Sequence, residues 1–178
     1  MFKKMVLAFA ACVALWCGDG GGPARAQQGS ASAEVAVPNQ PVTEVLGVKP
    51  GMSEEEAVRL LDRVGRRQVG QGTKAEVWGV RDDRLAHVAV RFSRDHRVRH
   101  VTGLAHRTEG GGRRRVRYAE LGNTARARLQ SDKNNYTYTW RVEPRSGFPG
   151  YVIVARGSDP VYLTSYSLYR IIDPPGFN

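Results

Sequence analysis

The chain has 178 residues, of which 27 are lysine or arginine and 17 are aspartate or glutamate, so its formal net charge is +10. This length fits one large domain or two small ones, and the only cysteines, Cys12 and Cys17, lie near the N-terminus, which excludes a disulfide framework across the rest of the chain. Arginine carries most of the positive charge, which indicates either a general bias toward arginine or a surface that faces a polyanion.

Residues 1–26 have the pattern of a secretory signal peptide. Lys3 and Lys4 form a basic start, residues 5–16 are apolar, and an Ala-Arg-Ala cleavage signature ends at Ala26. The apolar run is shorter than the about 20 residues that a membrane-spanning helix needs. We therefore predict cleavage after Ala26, a periplasmic or secreted location and no transmembrane segment.

Lipid attachment at a cysteine is the alternative that would place the protein in the outer membrane as a lipoprotein. Cys12 leaves only a short apolar run before it, and bulky Trp16 precedes Cys17 where a small residue is expected. The sequence therefore favours cleavage over lipidation. Residues 27–44, which are rich in Gln, Ser, Ala and Pro, predict a flexible arm.

Residues 51–65 predict a capped amphipathic helix. Ser53 is a good N-cap, with Glu56 three residues later to complete a capping box. An apolar stripe follows at helical spacing, and Gly65 predicts the end of the helix. The members of the stripe are Ala57, Leu60, Leu61 and Val64.

Three strand patterns follow the helix, at residues 75–81, 85–92 and 97–104. The second alternates strictly between apolar and polar positions. In the third, Val98 and Val101 are three residues apart, which breaks the alternation and predicts a β-bulge. With the helix, these strands form a predicted first α-β-β-β module at residues 45–109.

A weaker copy of this order follows a Gly/Arg linker at residues 110–116. A helical stripe starts at Tyr118, and three strand patterns follow it, forming a predicted second module at residues 117–173. The stripe consists of Tyr118, Leu121, Ala125 and Leu129, and the strand patterns cover residues 136–142, 151–156 and 161–170. The predicted fold class is therefore α+β, a tandem of helix plus three-stranded antiparallel meander with the helices packed on one face of the sheet. Whether the two modules share one sheet stays open.

The sequence offers no pattern for catalysis, for a metal or for another cofactor. His96 and His100 are four residues apart on a turn and strand, where that spacing separates two side chains by about 13 Å. The chain has no nucleophile elbow and no phosphate-binding glycine loop. We predict a non-enzymatic protein without a cofactor, and the lack of a recognised nucleic-acid module argues against that partner.

Two groups of residues are candidates for binding. The aromatic residues Trp78, Tyr136, Tyr138, Tyr162 and Tyr166 are of the types that anchor protein interfaces, although the same rings would also suit the core. Arg113, Arg114 and Arg115 form a basic run that would suit phosphates or serve only as a solvated segment. We predict a protein-interaction domain that binds an envelope or secreted protein, with binding of a polyanion (lipid phosphate or a cell-wall polymer) as the alternative.

The run VKPGMSEEEAV, residues 48–58, resembles the helix start of the SmpA/OmlA family, which includes the small BamE-type lipoproteins of outer-membrane assembly. Gly51, Met52 and Ser53 are its specific part, and Trp78 with residues 97–101 resembles the family's later pattern. The doubled helix-plus-meander order is similar to that of secreted β-lactamase-inhibitor proteins. These resemblances imply the α+β fold above and an envelope protein that binds other proteins.

Overall fold

An eight-stranded antiparallel sheet forms the frame of the structure, a computed structural model that describes residue 38 and residues 40–68, 75–145 and 149–171. The strand order is β1-β2-β3-β4-β10-β8-β7-β6, and β5 pairs with β9 in a separate two-stranded sheet. The described elements are α1 (Glu54–Val64), β1 (Gly65–Gln68), β2 (Glu76–Val80), β3 (Leu85–Phe92), β4 (Val98–Ala105), β5 (Val116–Arg117), β6 (Arg128–Asp132), β7 (Asn135–Val142), β8 (Tyr151–Gly157), β9 (Tyr162–Leu163) and β10 (Ser165–Arg170), with two 3-10 turns at Tyr118–Glu120 and Thr124–Arg126. The predicted signal peptide lies outside the described residues.

The predicted fold class is wrong. The described residues contain one α-helix rather than two. Eight of their strands form one antiparallel sheet and two form a small separate sheet, in place of the two predicted three-stranded meanders. The last strand, β10, pairs with β4 on one side and β8 on the other, so strands from both predicted modules share one sheet. All described residues belong to one compact unit of the chain, Val35–Asn178.

Helix α1 forms where its pattern predicts it. The Ser53 hydroxyl accepts from the Glu56 backbone N–H at 3.3 Å, and Ala57 and Leu61 are buried against the sheet. The helix ends at Val64, and Gly65 is extended rather than left-handed. Glycine is required there because a Cβ would lie 2.5 Å from the carbonyl oxygen of Gly79 on the neighbouring strand.

The second predicted helix is absent from the described structure, and the residues of its stripe explain why. Tyr118 and Leu121 are buried, but Leu129 is 49% exposed on edge strand β6. Gly122 lies so close to Pro41 and Trp140 that a Cβ would meet both at 3.1–3.2 Å. The chain therefore continues into a 3-10 turn, which the Asn123 side chain caps by accepting from Ala125 N–H at 3.0 Å.

One face of the sheet is covered, and the core lies beneath the cover. Helix α1, the segment with buried Val45 and Val48, and the segment with Val116, Tyr118 and Leu121 form the covering layer. The Val42 N–H, at the end of the predicted arm, donates to the Leu121 carbonyl at 2.8 Å and joins two of these segments. No helix among the described residues is long and apolar enough to cross a membrane.

The predicted bulge on β4 is confirmed, and it serves the core. Arg91 pairs with His100 and Phe92 with Val98, so Arg99 is the extra residue. Val98 and Val101 are both buried as a result, although they are three residues apart. The bulge changes the direction of the side chains at the start of β4, so that Val98 and Val101 both point to the covered face.

Candidate functional site

The five aromatic candidates lie on the covered face or beside it. Trp78 is fully buried and Tyr166 is 8% exposed, while Tyr136, Tyr138 and Tyr162 are half-buried. The register places Trp78, Tyr138 and Tyr166 in the core row, since Tyr138 pairs with Ala155, Ala155 with Tyr166, and Val88 with Trp78. The aromatic row is therefore mainly part of the core.

A stack of rings shows how tightly this row is packed. The ring centroids of Tyr118 and Tyr138 are 4.4 Å apart, and those of Tyr138 and Trp140 are 6.0 Å apart. The Tyr118 hydroxyl donates to the Tyr136 carbonyl at 3.3 Å. Burial raises the pKa of Tyr118 to about 12, with the neighbouring Tyr138 adding to the effect.

The basic run is largely used within the molecule. Arg114 forms ion pairs with Asp83 at 3.0 Å and Glu120 at 2.8 Å, which raise its pKa against the opposing effect of desolvation. Arg115 pairs with Asp159 at 3.1 Å. Arg113 is exposed, and its backbone bonds to Gly110 in both directions. The run therefore fixes its segment to two neighbouring loops.

The other face of the sheet, here called the open face, is not covered by any helix or strand of the described residues. Its middle row runs across six strands and contains only small or neutral side chains. The cross-strand pairs that define this row join Val77 to Ala89, Ala89 to Thr102, Thr102 to Ser167, Ser167 to Val154, and Val154 to Thr139. The alternation of side chains along each strand places the row opposite the core.

Arginines surround this middle row, and we call them the arginine rim. All five are exposed; they are Arg66, Arg91, Arg128, Arg141 and Arg156. The paired positions of the open face that the structure describes include one carboxylate, Asp132, at the β6–β7 hairpin. Arg141 pairs with Glu143 at 2.6 Å, whereas the other four arginines form no ion pair with a described residue. The open face is therefore strongly positive.

Polar contacts order the centre of the open face. The hydroxyls of Thr102 and Ser167 are hydrogen-bonded at 2.7 Å between neighbouring strands. The rings of His100 and Tyr169 lie 5.2 Å apart. Burial lowers the pKa of His100, and the positive charges of Arg91 and Arg99 lower it further. His100 is therefore mainly uncharged at neutral pH, and the arginines supply the charge of this face.

The chemistry on this surface suits binding. In the part of the chain that the structure describes, no three His, Cys, Asp or Glu side chains are placed to share a metal ion. The open face instead offers a centre of short uncharged side chains, together with guanidinium groups, which bind carboxylates through paired N–H donors.

The alternation of the sequence identifies which residues point away from the core, but it does not show that they form one continuous surface. The alternation already separated His87, Ala89 and Arg91 from the apolar side of their strand, and Thr137, Thr139 and Arg141 from the aromatic row. The missing information was which strands are neighbours, because only the strand order brings these positions into continuous rows.

The resemblance to the SmpA/OmlA family stays a prediction from its short motif. In comparisons with known proteins, no family model, no curated protein and no solved structure matches this chain.

Proposed function

We propose that this protein is a non-catalytic binding domain of the cell envelope, which uses the open face of its sheet to bind an acidic surface of a partner protein. The observation that carries the proposal is the row of short neutral side chains between exposed arginines. The envelope location rests on the predicted signal peptide at residues 1–26, outside the described residues.

The arrangement of the open face corresponds to the anatomy of protein interfaces. Such interfaces have a centre depleted of charge and a polar rim, with arginine enriched relative to the rest of the surface. Here Val77, Ala89 and Val154 lie in the neutral row, while Arg66 and Arg128 lie on the two edge strands of the sheet. A partner with a flat neutral patch and carboxylates around it would complement both parts.

The charge of the open face selects an acidic partner. Four unpaired arginines with one carboxylate, Asp132, would attract a negative surface during encounter and would repel a basic one. The neutral row favours a protein partner over a lipid surface, because short uncharged side chains suit close packing against the charge-depleted centre of a protein interface.

The arginine run is a poorer basis for polyanion binding than the sequence suggests. Arg114 and Arg115 already pair with Asp83, Glu120 and Asp159. A phosphate would have to displace these carboxylates, so the unpaired guanidinium groups of the open face are the stronger attraction for an anion.

A crosslinking experiment with a matched pair of leucines tests the proposal. Leu104 lies on the open face and is 37% exposed, while Leu129 lies on the opposite face and is 49% exposed. A photo-reactive phenylalanine analogue at Leu104 is expected to capture an envelope protein through an acidic surface, and the same group at Leu129 is not.

Charge reversal decides whether that capture is specific. The double change Arg91→Glu and Arg156→Glu is expected to abolish crosslinking from Leu104. Equal capture from Leu104 and Leu129, capture of lipid or cell-wall polymer instead of protein, or capture that survives the double change would each overturn the proposal.

A further inference from the structure

A basic cavity lies where β7 begins and β8 ends. Its volume is about 490 Å³, and three arginines from separate segments line it, Arg107, Arg115 and Arg156. Arg107 follows β4, Arg115 precedes β5, and Arg156 lies on β8. Side chains so distant in sequence converge here only because β10 brings the two halves of the sheet together.

The guanidinium group of Arg115 is held in place by two neighbours. It donates to the Asp159 carboxylate at 3.1 Å and lies over the Tyr162 ring, 3.9 Å from its centroid. Backbone N–H groups of Val161 and Tyr162 donate to Asp159 and lower its pKa, and Arg115 lowers it further. Asp159 is therefore ionised, and its carboxylate accepts hydrogen bonds from the backbone of its own loop. It also orients Arg115 beside the cavity.

The other two arginines have no carboxylate partner among the described residues. If Asp159 is counted against Arg115, Arg107 and Arg156 still leave two uncompensated positive charges beside the cavity. Like charges placed this way repel each other, and a bound anion relieves that repulsion. The charge beside the cavity therefore matches a dianion better than a single carboxylate.

Hydroxyl groups complete the lining. Thr137, Ser158 and Thr164 border the cavity. The Thr164 hydroxyl donates to the Arg156 carbonyl at 3.1 Å, whereas the hydroxyls of Thr137 and Ser158 form no hydrogen bond with another described residue. Each of these two hydroxyl groups can donate one hydrogen bond to an anion in the cavity.

We infer that this cavity binds a phosphoryl group. The unpaired guanidinium groups of Arg107 and Arg156 and two hydroxyl donors suit the oxygens of a tetrahedral dianion, while Arg115 keeps Asp159 as its partner. The cavity volume is within the range of small-molecule sites. The cavity shares Arg156 and Thr137 with the open face, but Arg107 and Arg115 lie off it. The inference therefore does not depend on the proposed protein partner.

Titration of the full chain with defined anions tests the inference. The amide signals of Gly157 and Ser158 are followed by NMR while inorganic phosphate, glycerol 3-phosphate or acetate is added at matched ionic strength. Both phosphates are expected to give saturable shifts, and acetate is not. A tighter fit for glycerol phosphate would support a phosphomonoester as the occupant, and a tighter fit for inorganic phosphate would support the free ion.

Matched variants localise the binding. Arg107→Gln and Arg156→Gln are each expected to weaken phosphate binding about tenfold or more, the effect of losing a charge-assisted hydrogen bond. Arg66→Gln, an arginine of the rim on the far edge strand β1, is the control and is expected to leave the affinity unchanged. A dispersed spectrum shows that each variant is folded.

Three results would overturn the inference. These are the lack of a saturable shift, an equal response to acetate, and equal weakening by Arg66→Gln. Arg91→Glu separates this test from that of the open face, because it is expected to impair capture of a protein partner and to leave phosphate binding in place.

Discussion

The indole nitrogen of Trp78 donates a hydrogen bond to the Asp62 carboxylate of helix α1 at 2.8 Å. Trp78 itself is fully buried in strand β2, and the Arg67 guanidinium lies 5.7 Å from the centre of its ring. This bond is one of the polar links between the helix and the sheet. It makes Trp78 a residue that stabilises the packing of the helix on the covered face, and not a residue of the open face.

Removing the acceptor of this bond is expected to destabilise the fold. Asp62→Ala leaves the buried indole N–H without its partner, so we expect the free energy of unfolding to fall by about 1–3 kcal/mol. Urea denaturation measures the change, with Glu55→Ala on the exposed side of the same helix as the control. A loss no larger than that of the control would show that the bond contributes little.

The raised tyrosine pKa values predict a loss of stability in alkali. Burial raises the pKa of both Tyr118 and Tyr166 to about 12, above the ordinary value of 10.0. The unfolded chain therefore loses these protons first, and stability that is present below pH 10 falls as the pH rises toward 12. Urea midpoints across this range are expected to fall, and less steeply in Tyr118→Phe with Tyr166→Phe. An unchanged slope in the double variant would contradict the assignment.

His100 reports the charge of the open face directly. Its pKa is lowered by burial and by Arg91 and Arg99, so the unfolded chain takes up the proton first and stability falls as the pH drops below 6.5. Arg91→Ala is expected to raise the His100 pKa, which NMR titration of the imidazole measures. A pKa that stays the same would show that Arg91 does not act on this face.

Much of the fold is predictable from the sequence, because its signals are local. Helix α1 carries its own cap and stripe, and the alternation around Val88 and Trp140 locates β3 and β7. Strands β1 and β6 were missed because they are polar edge strands, whose side chains are mostly exposed. The second helix was predicted wrongly because the spacing of Tyr118 and Leu121 fits a helix until Gly122 packs against Pro41.

The candidate site depends on which strands are neighbours in the sheet, and no local sequence pattern shows the strand order. Strand β10 pairs between β4 and β8, and this long-range pairing alone joins His100 to Tyr169 and Thr102 to Ser167 across the open face. Without it, the aromatic row and the arginine run were the only visible candidates. The structure places most of the row in the core and uses Arg114 and Arg115 in ion pairs.

The bulge at Arg99 offers a direct test of the register. Deleting Arg99 is expected to remove the extra residue and to leave Val98 opposite Phe92 on the covered face, because the remaining residues then alternate regularly. The free energy of unfolding is therefore expected to change little beyond that of Arg99→Ala, the control that keeps the extra residue. Urea denaturation measures both variants. A further loss of about 1.5–3 kcal/mol, the contribution of burying a valine side chain, would show that the deletion removes Val98 from the core and would contradict the observed register.

The measurement that tests the central claim most directly is the affinity of the captured partner protein for two double variants of equal charge. Arg91→Glu with Arg156→Glu changes the open face, while Arg59→Glu with Arg113→Glu changes exposed arginines elsewhere. If the open face is the binding surface, calorimetry will show a loss of about 100-fold or more for the first pair, as for close interfacial charges, and a change of no more than about threefold for the second. Equal losses for the two pairs, or no loss for the first, would contradict the claim.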